Sequence, residues 1–209
     1  MARFVISGTG TDIGKTVFAA GLAGLIGADY WKPIQTGVTP GDPDAPRDAG
    51  FVARMTGARI HPETVVLPEP LSPHRAAELA GVTIDPAAID PPDADPLVIE
   101  GAGGVLVPVT RDLLSADLFA RWGVPVIVCA ATGLGTISHT LTAIESLRAR
   151  GCPLHGVAFI GDDNPDNMAT IGQIGRVRVL GRLPRLPRLT PATLAAAMRD
   201  NFDPKDFAA

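Results

Sequence analysis

A glycine-rich segment near the amino terminus carries the clearest chemical signal in this chain. Residues 8–16 are Gly-Thr-Gly-Thr-Asp-Ile-Gly-Lys-Thr, between an apolar run at 3–7 and a helical pattern at 17–26. A glycine turn between a buried strand and a helix directs main-chain N–H groups, and the positive end of the helix dipole, towards an anion. Lys15 would neutralise outer phosphates, and the Thr16 hydroxyl is a suitable ligand for a phosphate-bound Mg²⁺. The segment predicts a nucleotide site.

The spacing within this segment departs from the strict P-loop pattern, which has four residues between its first Gly and the Gly-Lys pair. Here Gly8 and Gly14 enclose five residues, and Gly10 and Gly14 enclose three. An ordinary strand–helix turn is the alternative, because Gly and Thr are common in turns. The flanking elements and the terminal Gly-Lys-Thr favour a P-loop of variant length.

A second segment, residues 97–104, places Glu100 where an apolar strand is expected to end and a flexible glycine loop to begin. Ligands of open parallel sheets bind at the carboxyl ends of the strands. Glu100 would hold Mg²⁺ directly or through water, and Gly101 and Gly103 would let the main chain approach phosphates or substrate. The alternative is a solvent-facing acid at a strand end.

Three further side chains are candidates for charge neutralisation and binding. Lys32 would stabilise a transferring phosphoryl group, and Thr36 would hydrogen-bond a substrate. A lone Lys before Pro is also commonly a solvated surface residue. Asp48 closes a loop rich in Pro and Asp and is a possible Mg²⁺ ligand, but spacing alone does not distinguish it from Asp42 or Asp44.

A glycine turn at residues 133–139 follows an apolar run and opens another helical pattern. Its free N–H groups would suit a second anion, such as a substrate carboxylate. The alternative is a plain helix start capped by Thr136.

Strand-like runs and helical patterns alternate along the chain. The strand-like runs are residues 3–7, 97–100, 124–130, 155–160 and 177–182, and the helical patterns lie near 15–26, 115–122, 137–150, 166–175 and 191–202. This alternation predicts an α/β fold with a mainly parallel sheet flanked by helices on both faces. We expect one domain over residues 1–209, surface loops at 37–48 and 85–96, and a frayed end at 204–209.

Composition narrows the functional class. Hydrophobic residues make up 46% of the chain, and 18 basic and 22 acidic residues give a net charge of −4 without a basic block. This balance argues against an electrostatic nucleic-acid binder, and no apolar stretch approaches the length of a membrane span. Cys129 and Cys152 lack metal-site spacing, and a disulfide between them has no support. A reduced, cytoplasmic protein is expected.

Taken in order, these segments resemble the dethiobiotin synthetases, ATP-dependent enzymes that close the ureido ring in biotin synthesis. The resemblance includes the extra residue of the variant P-loop, and several motifs of low specificity become specific when they occur in a fixed order. The segments that carry it are residues 8–16, 32–37, 47–48, 70–74, 98–104 and 134–139.

The resemblance implies a reaction. 7,8-Diaminopelargonate takes up CO₂ as a carbamate, the carbamate attacks the γ-phosphate of ATP, and the neighbouring amine closes the ring on the carbamic–phosphoric anhydride. The protein must supply positioning and charge neutralisation. The resemblance also implies a homodimer in which the carboxylate tail of the substrate reaches the partner subunit.

The resemblance also implies roles for particular residues. Lys15 and Lys32 would be catalytic, and Thr36 would contact the diamine or carbamate. Gly135 and Ser138 would anchor the substrate carboxylate. The Mg²⁺ ligands would be Thr16, Asp48 and Glu100. The nucleotide-binding set would be Asp12, Ile13, Gly14, Lys15, Thr16, Val17, Asp48, Glu100, Gly101, Ala102, Gly103, Gly161, Asp162, Pro184, Arg185 and Leu186.

One departure from the family concerns the base. After the run ending at Ile160, the family often has an Asn-Asp pair whose amide binds the adenine edge, whereas this chain has Gly161-Asp162. Arg185 stands where an aromatic residue is common. Because glycine offers no side-chain hydrogen bond, we expect a weaker preference for ATP over other nucleoside triphosphates, CTP included.

Other protein classes share parts of this pattern. Partition and cell-division switch ATPases usually carry a second lysine early in the loop, and none occurs between Ser7 and Thr11. No amphipathic membrane helix is apparent near the carboxyl end. Cobyrinate-type amidating ligases usually append a glutaminase domain, for which 209 residues leave no room. A pure nucleotide-binding module leaves Lys32 and Glu100 unexplained.

Overall fold

A seven-stranded parallel sheet forms the centre of the molecule. The computed structural model describes residues 2–42 and 45–208, so Asp44 lies outside the described residues. The strands, in spatial order, are β4 (Ile60–His61), β2 (Asp29–Trp31), β6 (Leu97–Gly104), β1 (Arg3–Gly8), β7 (Val126–Ala131), β8 (Leu154–Ile160) and β9 (Val179–Leu183). Two further parallel strands, β3 (Ile34–Thr36) and β5 (Val65–Leu67), pair separately.

Helices cover both faces of this sheet. They are α1 (Lys15–Ile26), α2 (Asp48–Thr56), α3 (Pro73–Ala80), α4 (Ser115–Trp122), α5 (Thr136–Ala149), α6 (Pro165–Gly175) and α7 (Pro191–Asn201), with short 3₁₀ turns at Pro86–Ala88 and Pro204–Phe207. One apolar cluster lies beneath α1, α2 and α7, and the other lies beneath α3 to α6. The predicted fold class is confirmed.

Alternation along the strands explains the two clusters. Successive strand side chains point to opposite faces. In β1, Phe4 and Ile6 therefore belong to the α1 side, whereas Val5 belongs to the other side. Because both faces are covered, β7 is apolar throughout and β1 is apolar from Phe4 to Ile6, and these continuous runs made both strands visible in the sequence.

The short elements between β1 and β6 were missed. Helix α2 buries only Ala49 and Val52, and α3 buries Pro73, Ala76 and Ala77. Strands β2 to β5 have two or three residues each. Elements of this length carry too few apolar positions to produce a clear periodic signal.

Strand β6 does not end at Glu100 as predicted. It continues through the glycines to Gly104, so the expected flexible glycine loop is part of the sheet. Ile6 pairs with Glu100 and Gly8 pairs with Gly104, so β6 advances four residues while β1 advances two. The glycines permit this bulge, which follows directly after Glu100.

The expected fraying of residues 204–209 is wrong for the described residues of this segment. Phe207 is 1% exposed and its ring lies 5.8 Å from that of Phe4. His155 Nε2 lies 2.8 Å from the main-chain oxygen of Asp206. An apolar anchor therefore holds the segment to the sheet. Within residues 2–42 and 45–208, no helix has both the length and the apolar character that a membrane crossing requires.

Candidate active site

Lys15, Lys32, Thr36 and the predicted metal ligands converge at the carboxyl ends of β1, β2 and β6. They line one cavity of about 400 Å³. Its lining residues are Thr11, Asp12, Gly14, Lys15, Thr16, Lys32, Ile34, Gln35, Thr36, Asp48, Glu100, Ala102 and Gly103. Parallel strands bring these distant segments together because their carboxyl ends share one edge of the sheet.

The loop between β1 and α1 adopts an unusual backbone. Asp12 has φ 55° and Gly14 has φ 92°, both in the left-handed region. A Cβ at Gly14 would lie 3.0 Å from Ile160 Cγ2, so glycine also allows the loop to pack against β8. Helix α1 begins at Lys15 without an acidic residue in its first turn, which leaves its N–H groups suited to an anion.

Lys15 bends back over this loop. Its Nζ donates to the main-chain oxygen of Gly10 at 2.7 Å, and the side chain is buried. Burial lowers the pKa of Lys15, an effect that the nearby Glu100 charge opposes. The loop therefore offers both a cation and the free main-chain N–H groups at the start of α1.

Glu100 is the centre of the polar cluster and is only 1% exposed. Its Oε1 accepts from Thr16 Oγ1 at 2.8 Å and from Lys32 Nζ at 3.1 Å, and its Oε2 accepts from the Tyr30 hydroxyl at 2.8 Å. A carboxylate this deeply buried is tolerated only when it is paired and hydrogen-bonded. Burial, and then the Glu100 charge, raise the pKa of Tyr30 well above its ordinary value.

Lys32 links the two predicted metal carboxylates. Its Nζ bonds both Asp48 Oδ2 and Glu100 Oε1, and the residue is 7% exposed. Burial alone would lower the pKa of Lys32, but the charges of Glu100 and Asp48 outweigh it and raise the pKa above the ordinary value. Lys32 is therefore a buried cation, and its alternative as a solvated surface residue is wrong.

Two residues at this site were missed in the sequence: Tyr30 and Gln35. Gln35 Oε1 accepts from the main-chain N–H of Asp48 at 3.3 Å, and Gln35 Nε2 donates to the main-chain oxygen of Thr36 at 2.9 Å. Gln35 thereby joins the first residue of α2 to β3. The position of Tyr30 two residues before Lys32 was the available signal, because alternate residues of an extended segment share a face.

The donor set at this site fits Mg²⁺. No group of three or more His, Cys, Asp or Glu residues with metal-site geometry occurs among residues 2–42 and 45–208. Mg²⁺ at nucleotide sites, however, is held through one or two carboxylates together with phosphate oxygens and water. Glu100, Asp48 and the Thr16 hydroxyl supply oxygen atoms of this kind, joined through the contacts of Lys32 and Glu100.

The predicted base-binding residues lie beyond this cavity, at the ends of β8 and β9. Gly161 and Asp162 directly follow β8, and Pro184, Arg185 and Leu186 directly follow β9. The N–H of Gly161 donates to Leu183 O at 3.0 Å, which holds the two loops together. Asp162 and Arg185 approach to 3.5 Å with side chains 82% and 79% exposed.

Gly161 is constrained as well as small. Its φ is 136°, and a Cβ there would lie 2.6 Å from Thr132 Oγ1. An L side chain at this position would therefore meet both backbone strain and the buried Thr132 hydroxyl. Gly161 therefore fits closely against Thr132, and its difference from the family's Asn involves packing as well as the missing amide.

Comparison with known proteins decides the family. A family model described as an AAA domain matches residues 2–193. The ATP-dependent dethiobiotin synthetase BioD of Novosphingobium aromaticivorans is 54% identical over 211 residues, covering all of both chains. That of Agrobacterium fabrum is 54% identical over 98% of this chain and 96% of its own length.

The chain belongs to the dethiobiotin synthetase family. More distant likeness to solved structures shows the fold alone: the cell division ATPase MinD of Pyrococcus furiosus has a TM-score of 0.54 at 14% identity, covering 96% of this chain and 99% of that one. The switch-ATPase alternative is therefore a relative in fold only, whereas the full-length identity is to dethiobiotin synthetases.

In this dethiobiotin synthetase family member, the predicted carboxylate anchor lies outside the cavity that Lys15, Lys32 and Glu100 line. Helix α5 begins at Thr136, and Gly135, with φ 89°, is its N-cap residue without a side-chain cap. The Thr136 hydroxyl donates back to Ala131 O, so the capping role considered for Thr136 is wrong. Ser138 is exposed, and the neighbouring Leu134 is completely exposed.

A larger cavity of about 510 Å³ lies between α1, α2 and α7, and its lining includes Gly21, Met55, Leu194 and Met198. Arg199 is the only charged residue that lines it. Because neither P-loop residues nor Lys32 nor Glu100 contribute to it, this cavity lacks the groups that phosphoryl transfer requires.

Proposed function

We propose that this chain carries out the nucleoside-triphosphate-dependent carboxylation and ring closure of 7,8-diaminopelargonate with CO₂, giving dethiobiotin. The observation that carries the proposal is Lys32, a buried cation bonded to Asp48 and Glu100 in front of the P-loop. A module that only binds nucleotide has no need for it. Full-length identity of 54% to a relative of this name supports the proposal.

The side chains have distinct tasks in this scheme. The main-chain N–H groups of residues 13–17 bind the phosphates of ATP, and Lys15 and Lys32 stabilise charge on the transferring phosphoryl group. Thr16, Asp48 and Glu100 would hold Mg²⁺, which supplies charge neutralisation at the phosphates when bound. Ala102 and Gly103, which line the cavity, and Gly101 beside them would contact the nucleotide. Because carbamate and ATP are both anionic, the lysines, the main-chain N–H groups and bound Mg²⁺ together would oppose their repulsion.

Binding of the diamine is assigned to another residue of the same cavity. Thr36 lines the same cavity as Lys32 and Glu100, where its hydroxyl is available to the amine or carbamate. We propose that the substrate carboxylate is bound by Gly135 and Ser138 of a second copy in a homodimer. The complete exposure of Leu134 beside them supports a contact surface there, since large apolar side chains at that exposure are favourable when covered.

We expect the nucleotide base to be bound with less specificity than the phosphates. Asp162 and the loop at 184–186 would flank it, and Gly161 offers no amide. We propose that the enzyme accepts other nucleoside triphosphates, such as CTP, beside ATP. The unpaired buried thiols of Cys129 and Cys152 support a reducing cytoplasmic location.

The test is direct detection of product. Purified protein is incubated with 7,8-diaminopelargonate, bicarbonate, Mg²⁺ and either ATP or CTP, and dethiobiotin is measured by mass spectrometry. We expect product with both nucleotides and its loss in Lys32→Ala. Triphosphate hydrolysis without any product would overturn the proposal and favour a switch ATPase.

A further inference from the structure

Tyr30 lies beside the central carboxylate although none of the sequence motifs includes it. Its side chain is completely buried, and its hydroxyl donates to Glu100 Oε2 at 2.8 Å. The other oxygen, Oε1, accepts from Thr16 and Lys32. The two carboxylate oxygens therefore have separate partners. Oε2 is bonded to the Tyr30 hydroxyl, and Oε1 is bonded to Thr16 and Lys32, to which we assign metal binding and charge stabilisation.

We propose that Tyr30 is a positioning residue that fixes the orientation of the Glu100 carboxylate, so that Oε1 faces Thr16 and Lys32. The proposal rests on the proposed function insofar as Oε1 is the oxygen offered to a metal-bound nucleotide. Tyr30 itself touches neither Thr16 nor the phosphate loop through any hydrogen bond of its hydroxyl, so it acts through Glu100 alone.

The geometry of β2 makes this role possible. Along an extended segment, side chains alternate between the faces of the sheet. Tyr30 packs in the cluster beneath α1, and Trp31 packs in the opposite cluster, 5.8 Å from the ring of Trp122. Lys32 then returns to the Glu100 side. In the ladder, Tyr30 pairs with Val98, two residues before Glu100 on the neighbouring strand.

The chemistry of a buried carboxylate gives the hydroxyl its importance. The terminal torsion of a glutamate is broad, so packing alone does not fix the direction of its oxygens. A hydrogen bond to one oxygen does. Removing the Tyr30 hydroxyl would leave Oε2 without a donor in an enclosed site, and only the Oε1 contacts with Thr16 and Lys32 would then hold the carboxylate. Losing such an outer partner of a metal ligand typically weakens metal affinity about 10–100-fold.

The first experiment measures metal affinity directly. Mn²⁺ binding to the intact protein is followed by electron paramagnetic resonance of free Mn²⁺, in the presence of a non-hydrolysable ATP analogue. We expect Tyr30→Phe to bind Mn²⁺ about 10-fold more weakly than the wild type. Thr56→Val is the matched control, because it removes a hydroxyl that donates to Val52 O at 2.8 Å at the far end of α2. Wild-type affinity in Tyr30→Phe would overturn the proposal.

The second experiment does not depend on the stability of Tyr30→Phe. Tyr30 is the only tyrosine of the chain, so replacing tyrosine by 3-fluorotyrosine labels this position alone. Without metal or nucleotide, we expect the ¹⁹F resonance to differ between the otherwise unchanged protein and Glu100→Gln. Identical resonances would overturn the Tyr30 proposal. A protein that shows the difference but forms no dethiobiotin would instead contradict the proposed function.

Discussion

At the carboxyl ends of β1, β2 and β6 (the phosphate side), charged side chains are buried and bonded to one another. In the loops after β8 and β9 (the base side), the charged side chains of Asp162 and Arg185 are exposed. Glu100 and Lys32 are 1% and 7% exposed, but the Asp162 and Arg185 side chains are 82% and 79% exposed. Electrostatic interactions strengthen as water is excluded. The phosphate side is therefore suited to charge stabilisation, and we expect the base side to discriminate little between nucleotide bases.

Loss of the buried cation should give the largest effect. We expect Lys32→Met, which keeps most of the side-chain volume, to lower kcat by about 100–1,000-fold, since comparable preorganised donors contribute this much. The measurement is dethiobiotin formation at saturating ATP. Lys205→Met, at an exposed lysine near the carboxyl end, serves as the control and should retain wild-type activity. A loss below 10-fold in Lys32→Met would break the distinction between the two sides.

Removal of a neutral group on the phosphate side should give an intermediate effect. Thr16→Val deletes the hydroxyl that donates to Glu100 Oε1 at 2.8 Å. We expect the Mg²⁺ concentration for half-maximal activity to rise about 10–100-fold, because an oxygen atom assigned to Mg²⁺ binding is lost. Thr170→Val in α6 should leave that concentration unchanged. An equal Mg²⁺ requirement in Thr16→Val and the wild type would contradict the assignment of this hydroxyl.

The residues of the phosphate side could be singled out from the sequence because their signals are local. The glycine turn, Lys15 and Thr16 occur in one short segment, and the long strands carry continuous apolar runs. Lys32, Asp48 and Glu100 were identified, but their mutual contacts were not. Those contacts depend on which strands are neighbours, since β2 pairs with β6 across 68 residues of sequence.

The residues that sequence reasoning missed act through tertiary contacts. Tyr30 and Gln35 lie in the short strands β2 and β3, and only the register of β2 and the start of α2 bring them to Glu100 and Asp48. The same holds for Thr132. Gly161 was noted as lacking an amide, but its proximity to the Thr132 hydroxyl has no signature in either local sequence.

The contact between Gly161 and Thr132 predicts that replacing Gly161 by the family's Asn will not by itself raise the preference for ATP. We expect Gly161→Asn alone to be destabilised by about 1–3 kcal/mol, since its φ of 136° strains an L residue and its Cβ would meet Thr132 Oγ1. Its ATP/CTP ratio of kcat/KM should stay near that of the wild type. Thr132→Ala removes the hydroxyl, so the double variant should recover space for the amide and raise that ratio about 5-fold.

Thermal unfolding and kinetics with four nucleoside triphosphates check both statements. Thr132→Ala alone is the control, and it should leave nucleotide preference unchanged. If Gly161→Asn alone were as stable as the wild type and selective for ATP, Thr132 would not constrain the base side. Strong ATP selectivity in the wild type would instead show that another group recognises the base.

The smallest effect should come from the charged pair of the base side. Arg185 Nε lies 3.5 Å from Asp162 Oδ1, and both side chains are largely solvated. Exposed pairs of this kind contribute about 0–1 kcal/mol, so Arg185→Ala should change KM for ATP by less than about 5-fold and leave kcat unaltered. Arg185→Lys, which keeps the charge, is the matched variant. A rise in KM above 10-fold in Arg185→Ala, restored in Arg185→Lys, would mean that charge on this loop binds the nucleotide directly. The base side would then share the electrostatic character of the phosphate side despite its exposure.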